Sequence, residues 1–340
     1  MRVRLRDLFS LLPVLAAIVF LVLNPAKASA AACEGVQQSM TQVFPALFPF
    51  FVLTKLLLSR GGSGNPPRLL RRFSERLFAV PASALPVFLL SLVSGCPVGA
   101  AAAAELYQRG GCTKEEAERL LVYSSNCGPA FLLGVVSPRL PGGMKDALFL
   151  LITQILLSVW LGVLLGAGKN ASLQSDRPGA KEKAPFVRAF TDAVLSGGRN
   201  ALIVCAYVVF FSAATASLPK IPLVRGLGEM TGGILLLSPE KPYALPTAAF
   251  LLGFGGLSVA CQVLAAISDA ELSGRLYFPF RLLHGCVMVC AAMLYECCPL
   301  LLPVLGFLLF FSAICVKKGG KRRINAVYSA LRGENNNAVS

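Results

Sequence analysis

The chain has 340 residues, of which 55% are hydrophobic and only 14% are charged, and its mean hydropathy is +0.68. A soluble domain carries about 25% charged residues, so the composition excludes an ordinary soluble protein and predicts an integral membrane protein of several helices. The net charge of +15 comes mostly from Lys and Arg in short segments beside the apolar stretches, as in cytoplasmic loops. Because no separate basic face exists, we expect contacts with membrane lipid and none with nucleic acid.

The N-terminal residues fit two kinds of segment. Basic residues precede the apolar stretch 8–23, and Ala28-Ser29-Ala30 follows it like a signal-peptidase site. This pattern is typical of a cleaved secretory signal and also of an uncleaved first membrane helix. We favour the helix, over residues 1–32, because the rest of the chain is itself membrane-embedded.

Further along the chain, apolar stretches alternate with polar connectors. Residues 36–58 form an apolar stretch that Pro45 and Pro49 are expected to kink, and a basic loop follows at 60–76. Residues 77–107 form either a kinked span or a hairpin that enters and leaves on one side.

A capping box of Thr113 and Glu116 begins the next helix. Residues 147–165 are long enough to cross a bilayer, and residues 168–187 read as a polar cytoplasmic linker.

Three apolar segments are interrupted by Gly or Pro: residues 94–100 (the first interruption), 124–129 (the second) and 253–258 (the third). Such interruptions free backbone groups that lipid cannot satisfy, so they survive only inside protein or beside a water-filled cavity. The first and third interruptions lie in corresponding halves, which points to the substrate site of a transporter. A helix that restarts after Gly95 would present N–H groups to an anion. The alternative is a set of kinks with close helix packing.

The candidate substrate-binding residues are polar or small residues at these interruptions. They are Ser94, Gly95, Pro97, Gly99, Ser125, Asn126, Gly128, Gly255, Gly256, Ser258 and Gln262. Asn126 lies within an apolar stretch and needs a partner, either backbone or substrate.

Two ionisable residues complete the candidate site. Arg281 and His284 lie three residues apart and therefore share one face of an apolar helix. Arg281 is a candidate for holding a carboxylate, and His284 for gating by protonation. The alternative is that Arg281 lies near the membrane edge, where its side chain would extend toward water and bind no substrate.

The residue patterns favour no enzyme. A serine protease site of Ser258 and His284 is rejected because Ser258 lies in a repeated interruption. The chain has one His, and most of its 11 cysteines lie in apolar stretches, so we expect no metal and no other cofactor. No phosphate-binding Gly loop is present, so ATP-driven transport by this chain alone is not expected.

The chain resembles a duplication. Asp192 falls on Glu34, and Gly256 on Gly95, at nearly constant spacing. We assign one repeat to residues 33–167, a second to 188–316 and a basic cytoplasmic tail to 317–340.

The membrane topology follows from the basic loops. If these loops all lie on one side, the first interrupted element must be re-entrant and the two halves must be inverted. Strict inversion would leave the tail outside unless an extra crossing lies between residues 218 and 272, and the sequence leaves this open.

Several motifs together resemble the sporulation integral membrane protein family YlbJ, also called SpoVV. The resemblance covers roughly residues 33–316. It rests on Ser94-Gly95-Cys96-Pro97-Val98-Gly99-Ala100, Ser125-Asn126-Cys127-Gly128-Pro129, Gly253-Phe254-Gly255-Gly256-Leu257-Ser258 and Arg281-Leu282-Leu283-His284-Gly285. That family carries the nucleoside-recognition or Gate domain. The resemblance therefore implies an all-α polytopic membrane bundle of two Gate-like repeats with broken or re-entrant helices.

The resemblance also implies a function. It predicts a protein of the outer forespore membrane that passes dipicolinic acid into the forespore of a Gram-positive bacterium. Dipicolinate is a small planar dianion, which suits helix N-termini and Arg281. Two alternatives stay open: a non-transporting spore-envelope assembly factor, and a nucleoside or cation transporter. The sequence also leaves a homo-oligomer open.

Overall fold

The computed structural model describes residues 15, 17–61, 68–171 and 185–319. The described residues form helices joined by turns, and none of them forms a β-strand. Five helices of this part are long and apolar enough to cross a membrane, or six if one bent pair counts as a span. The chain is therefore an all-α polytopic integral membrane protein, as the composition predicts.

The helices are numbered in chain order. They are α1 Ala17–Leu23, α2 Pro25–Gln38, α3 Phe44–Gly61, α4 Arg68–Phe73, α5 Ala84–Ser94, α6 Val98–Gln108, α7 Lys114–Tyr123, α8 Pro129–Phe131, α9 Met144–Gly166, α10 Phe186–Ala214, α11 Pro222–Gly228, α12 Met230–Leu235, α13 Ala244–Phe254, α14 Gly256–Ser268, α15 Tyr277–Cys297 and α16 Leu302–Gly319. π turns follow α2, α4 and α8, at Ser39–Val43, Ser74–Phe78 and Leu132–Val136, and 3-10 turns cover Ser137–Arg139 and Pro299–Leu301.

The N-terminal region is bent sharply at Asn24. The stretch α1 meets Pro25–Leu53 at an angle of 105°, and Pro25 occupies the first turn of α2, where its missing N–H costs nothing. Residues 1–14 of the expected first membrane helix lie outside the described residues. The helix α2 runs across the expected boundary at residue 33, and the π turn Ser39–Val43 joins it to α3 without a break at Pro45 or Pro49.

The first interrupted element, α5 and α6, is a helical hairpin. Ser83 Oγ, just before α5, donates to Gly111 O, just after α6, at 2.8 Å, so both ends of the element lie at one level. A Cβ on Gly99 would lie only 2.7 Å from Ser91 Cβ, whereas residues eight apart in a straight helix are separated by about 12 Å. Because α5 has 11 residues, it reaches about halfway across a bilayer. The hairpin alternative for residues 77–107 is therefore correct.

The third interruption has a different shape. Helices α13 and α14 together make one candidate span, Ala244–Ser268, whose backbone has positive φ angles at Gly255 (90°) and Gly256 (74°). This span packs tightly on α15, where a Cβ on Gly253 would lie 2.5 Å from Gly285 Cα. The first interruption thus produces a hairpin, whereas the third lies within a candidate span.

Four candidate spans follow the linker: Phe186–Ala214, Ala244–Ser268, Tyr277–Cys297 and Pro299–Val316. Four crossings would return the chain to the side from which it started, which is compatible with a basic linker and a basic tail on one side. The cytoplasmic location of both stays a prediction, because residues 172–184 and 320–340 lie outside the described residues.

A short helical hairpin, α11 and α12, precedes the third interruption and was not predicted. Its helices have seven and six residues, too few to cross a bilayer. Gly226 and Gly233 face each other so closely that a Cβ on Gly233 would overlap the Gly226 backbone. The turn between the two helices is Glu229, which therefore lies at the tip of the hairpin.

The inner helices of the two interrupted elements share one apolar cluster. Ala100 and Ala104 of α6 pack with Ala260 and Val263 of α14, together with Leu121 of α7. The predicted capping box at the start of α7 is confirmed, since Thr113 and Glu116 exchange side-chain and backbone bonds. This packing holds the three interruptions close together.

Candidate functional site

The three interruptions and the tip of the α11–α12 hairpin surround one cavity. It contains about 50 Å³ of space reachable by water, which is enough for several water molecules. Cys96 contributes from the first interruption, Gly128 from the second and Gly255 from the third, while Glu229 and Arg281 approach from α11–α12 and α15. The full lining is Val43, Leu47, Cys96, Ser125, Asn126, Cys127, Gly128, Phe131, Val204, Val208, Glu229, Met230, Thr231, Gly255, Val259, Gln262 and Arg281.

The sequence-predicted site residues divide into two groups. Those that line the cavity are Ser125, Asn126, Gly128, Gly255, Gln262 and Arg281. Those that lie outside its lining are Ser94, Gly95, Pro97, Gly99, Gly256, Ser258 and His284. Several members of the second group contact the first group directly and so shape the wall from behind.

Glycines let the first interruption pack against the second. Gly95 has φ 78°, and a Cβ there would lie 2.6 Å from Gly128 N. A Cβ on Gly99 would overlap Ser124 O. Both positions therefore require glycine because backbone meets backbone, and their role is to build the cavity wall.

The backbone groups freed by the first two interruptions are partly satisfied within the protein. Cys96 N donates to Asn126 O at 2.8 Å, which ties the tip of the α5–α6 hairpin to the second interruption. The side chain of Gln154 on α9 accepts from Cys127 N at 3.1 Å and donates to Cys127 O at 2.9 Å. The amides of Cys96 and Cys127 are therefore not free for a ligand, whereas the first helical residue of α6 is Val98, beyond Cys96.

The polar side chains of the second interruption also have partners. Asn126 Nδ2 donates to Tyr123 O at 3.0 Å, and Ser158 Oγ donates to Asn126 Oδ1 at 2.8 Å. Ser125 Oγ donates to Leu121 O at 2.7 Å. Of the two partners weighed for Asn126, the structure gives the backbone, together with a serine of α9.

Arg281 supplies the cation of the cavity. It is 2% exposed, so it does not extend toward the membrane edge. Its Nη2 donates to Leu252 O at 3.0 Å, and its Nη1 lies 2.9 Å from His284 Nδ1. Its Nε has no partner among the described residues, and none of their carboxylates forms an ion pair with it. A positive charge is thus fixed in the wall without a counter-ion from the described part of the chain.

His284 lies behind Arg281. A guanidinium only donates hydrogen bonds, so Nδ1 of His284 accepts, and the imidazole is neutral with its hydrogen on Nε2. A proton on Nδ1 would remove this bond and place two cations together. The geometry therefore favours His284 as a residue that positions Arg281, and not as a proton-driven gate.

Glu229 is a cavity residue that the sequence analysis missed. It is 3% exposed, and its carboxylate accepts from the backbone N–H groups of Thr231 and Gly232 at the start of α12. Burial raises the pKa of this carboxyl, and the two backbone bonds offset only part of the effect. The available signal was a lone acid among Gly226, Gly228, Gly232 and Gly233, in a mostly apolar segment whose other charged residue is Arg225.

Gln154 is the second missed residue. It lies in the middle of an uninterrupted apolar span and is 1% exposed. A single amide side chain at that depth needs polar partners, and here it finds the second interruption. In the described part of the chain, no three His, Cys, Asp or Glu side chains are placed to share a metal ion.

Comparison with known proteins shows a similarity to a membrane protein of sporulation. The chain is 27% identical over 309 aligned positions to the sporulation integral membrane protein YlbJ of Bacillus subtilis (strain 168), and the alignment covers 77% of this chain and 76% of YlbJ. The resemblance to the YlbJ family is confirmed. No family model and no solved structure matches the chain, so the Gate domain stays a prediction. The description of YlbJ as an integral membrane protein agrees with the spans of this chain.

Proposed function

We propose that this chain is a membrane carrier for a small organic anion and that the anion binds in the cavity beside Arg281. The observation that carries the proposal is the buried guanidinium, fixed by Leu252 and His284 and left without a carboxylate partner in the described part of the chain. An uncompensated charge at membrane depth is costly, and ionisable residues there commonly serve a transport pathway. A bound carboxylate would offset that cost.

The substrate we propose is dipicolinic acid, moved from the mother cell into the forespore. The similarity to YlbJ, a sporulation integral membrane protein, supports a role in sporulation at a membrane. Dipicolinate offers carboxylates to Arg281 and a flat ring to the apolar part of the wall, such as Val204 and Val259. An uncharged nucleoside would leave the charge of Arg281 unpaired.

The test is uptake of labelled dipicolinate by purified protein in liposomes. We expect uptake by the wild type and a loss of about tenfold or more in Arg281→Gln, because a hydrogen bond to a charged group contributes about 1.5–3 kcal/mol. Arg275→Gln is the matched control, since Arg275 is exposed on the connector before α15. Equal uptake by Arg281→Gln and the wild type would contradict the site.

The same vesicles separate the competing functions. Unlabelled dipicolinate should compete for uptake, while a nucleoside or a divalent cation should not. Competition by a nucleoside alone would favour nucleoside transport. If the folded wild type moves none of these compounds, the non-transporting assembly factor becomes the better account.

A further inference from the structure

Glu229 is a buried acid in the cavity wall that anion binding by Arg281 does not use. It forms the tip of the α11–α12 hairpin, is 3% exposed and lines the cavity that Arg281 also lines. No Lys, Arg or His of the described residues forms an ion pair with it. Its bonds to Thr231 N and Gly232 N fix the carboxylate but carry no full positive charge.

The groups around Glu229 are mostly uncharged. On its own hairpin, Arg225 is directed away, since its Nη2 donates to Ala216 O at 3.2 Å. Across the cavity, the titratable or charged groups are Arg281 on α15, Cys96 in the first interruption and Cys127 in the second. The remaining helices contribute Val43 and Leu47 near α3, Val204 and Val208 of α10, and Val259 and Gln262 of α14.

This environment makes the charge state of Glu229 matter for an incoming anion. An ionised Glu229 would repel a carboxylate inside a cavity of low dielectric constant. A protonated Glu229 removes that repulsion and leaves the charge of Arg281 to attract the anion. Burial favours the protonated form, since it raises the pKa of this carboxyl above its usual value. The cavity has room for the water that would deliver the proton.

We propose that Glu229 couples the carrier to protons: it takes up one proton from the side on which the anion enters and releases it on the side to which the anion is delivered. The balance is one proton and one anion moved in the same direction, with Glu229 returning as a carboxylate. This inference rests on the proposed function, because it requires the cavity to carry an anion.

The experiment measures labelled dipicolinate uptake with and without a gradient of one pH unit, acid outside, with the membrane potential clamped by potassium and valinomycin. One proton per anion supports at most about tenfold accumulation of dipicolinate under that gradient. We therefore expect wild-type uptake to be clearly higher with the gradient than without it. In Glu229→Gln the ratio of uptake with and without the gradient should fall to about 1, whatever its rate without a gradient. Glu240→Gln, an exposed acid outside the cavity, should keep the wild-type ratio.

A second measurement needs no variant. Addition of dipicolinate to wild-type vesicles should acidify their interior, as read by an enclosed pH dye, and Glu229→Asp should retain the signal because it keeps an acid. Wild-type uptake with no response to the gradient and no dye signal would overturn the proton coupling while leaving the carrier intact. A gradient response that persists in Glu229→Gln would overturn the role of Glu229. Absence of any wild-type uptake would overturn the proposed function itself.

Discussion

At the scale of single residues, the third interruption leaves a backbone carbonyl free, and Arg281 donates a hydrogen bond to it. Leu252 O lies in the last turn of α13, where carbonyl groups lack an intrahelical partner because the helix ends at Phe254. Arg281 Nη2 donates to this oxygen at 3.0 Å, and Cys127 Sγ approaches it at 3.9 Å. The interruption therefore provides an acceptor that holds a buried guanidinium, which is a different use from the anion-binding amides that the sequence predicts.

The residues that were missed show the limit of sequence reasoning at this scale. Arg281 is recognisable because a cation in an apolar helix is rare. Gln154 carries no charge, and its value depends on the second interruption, which is 27 residues away in sequence but within hydrogen-bond distance. Glu229 lies in a segment whose short helices could not be recognised from periodicity, since seven and six residues are too few for a clear pattern.

Replacement of Gln154 tests whether it stabilises the second interruption. Gln154→Leu leaves Cys127 N and Cys127 O without their partner, and each buried unsatisfied group costs about 1–3 kcal/mol. We expect the free energy of unfolding in detergent to fall by about 2–4 kcal/mol. Gln37→Leu, at an exposed position of α2, is the control and should leave it nearly unchanged. A similar loss in both variants would mean that the bonds to Cys127 are not what stabilises this region.

At the scale of elements, the sequence locates the interruptions but not their shapes. Gly and Pro in apolar stretches mark all three sites, because lipid cannot satisfy the backbone groups that such residues free. The first becomes a hairpin through the contact of Gly99 with Ser91 and the bond from Ser83 to Gly111. The third continues as a crossing that packs on α15 at Gly253. These outcomes depend on contacts between distant residues, which local pattern does not encode.

The hairpin can be tested at the glycine where it meets the second interruption. A Cβ in Gly99→Ala would overlap Ser124 O and lie 2.7 Å from Ser91 Cβ, so α6 must move away from the cavity wall. Overpacking of this kind costs about 1–3 kcal/mol, and we expect a lower melting temperature and a loss of about tenfold or more in dipicolinate uptake. Gly134→Ala is the matched control, because a Cβ there meets no atom within 4 Å. Wild-type stability and uptake in Gly99→Ala would show that the close contact is dispensable.

At the scale of the whole molecule, composition and charge placement predicted the class correctly. The low charge content predicts a membrane protein, and the basic segments predict that the linker and the tail share one side. The four candidate spans from Phe186 to Val316 are compatible with that second prediction, which concerns segments largely outside the described residues. What composition could not provide is the convergence of three interruptions and the α11–α12 hairpin around one cavity, which arises from the packing of α6 on α14 and of α13 on α15.

The most direct test of this convergence is ligand protection of Cys96. Cys96 is half-buried and lines the cavity, so a protein with Cys96 as its only cysteine should react slowly with a small neutral thiol reagent. Cys112 is the control, because it lies outside the cavity and is only 2% exposed.

We expect dipicolinate to slow the modification of Cys96 at the concentrations that saturate uptake, and to leave the negligible reaction of Cys112 unchanged. That result would place the anion in the space between the interruptions. A transport-active protein in which Cys96 reacts at the same rate with and without saturating dipicolinate would contradict the account.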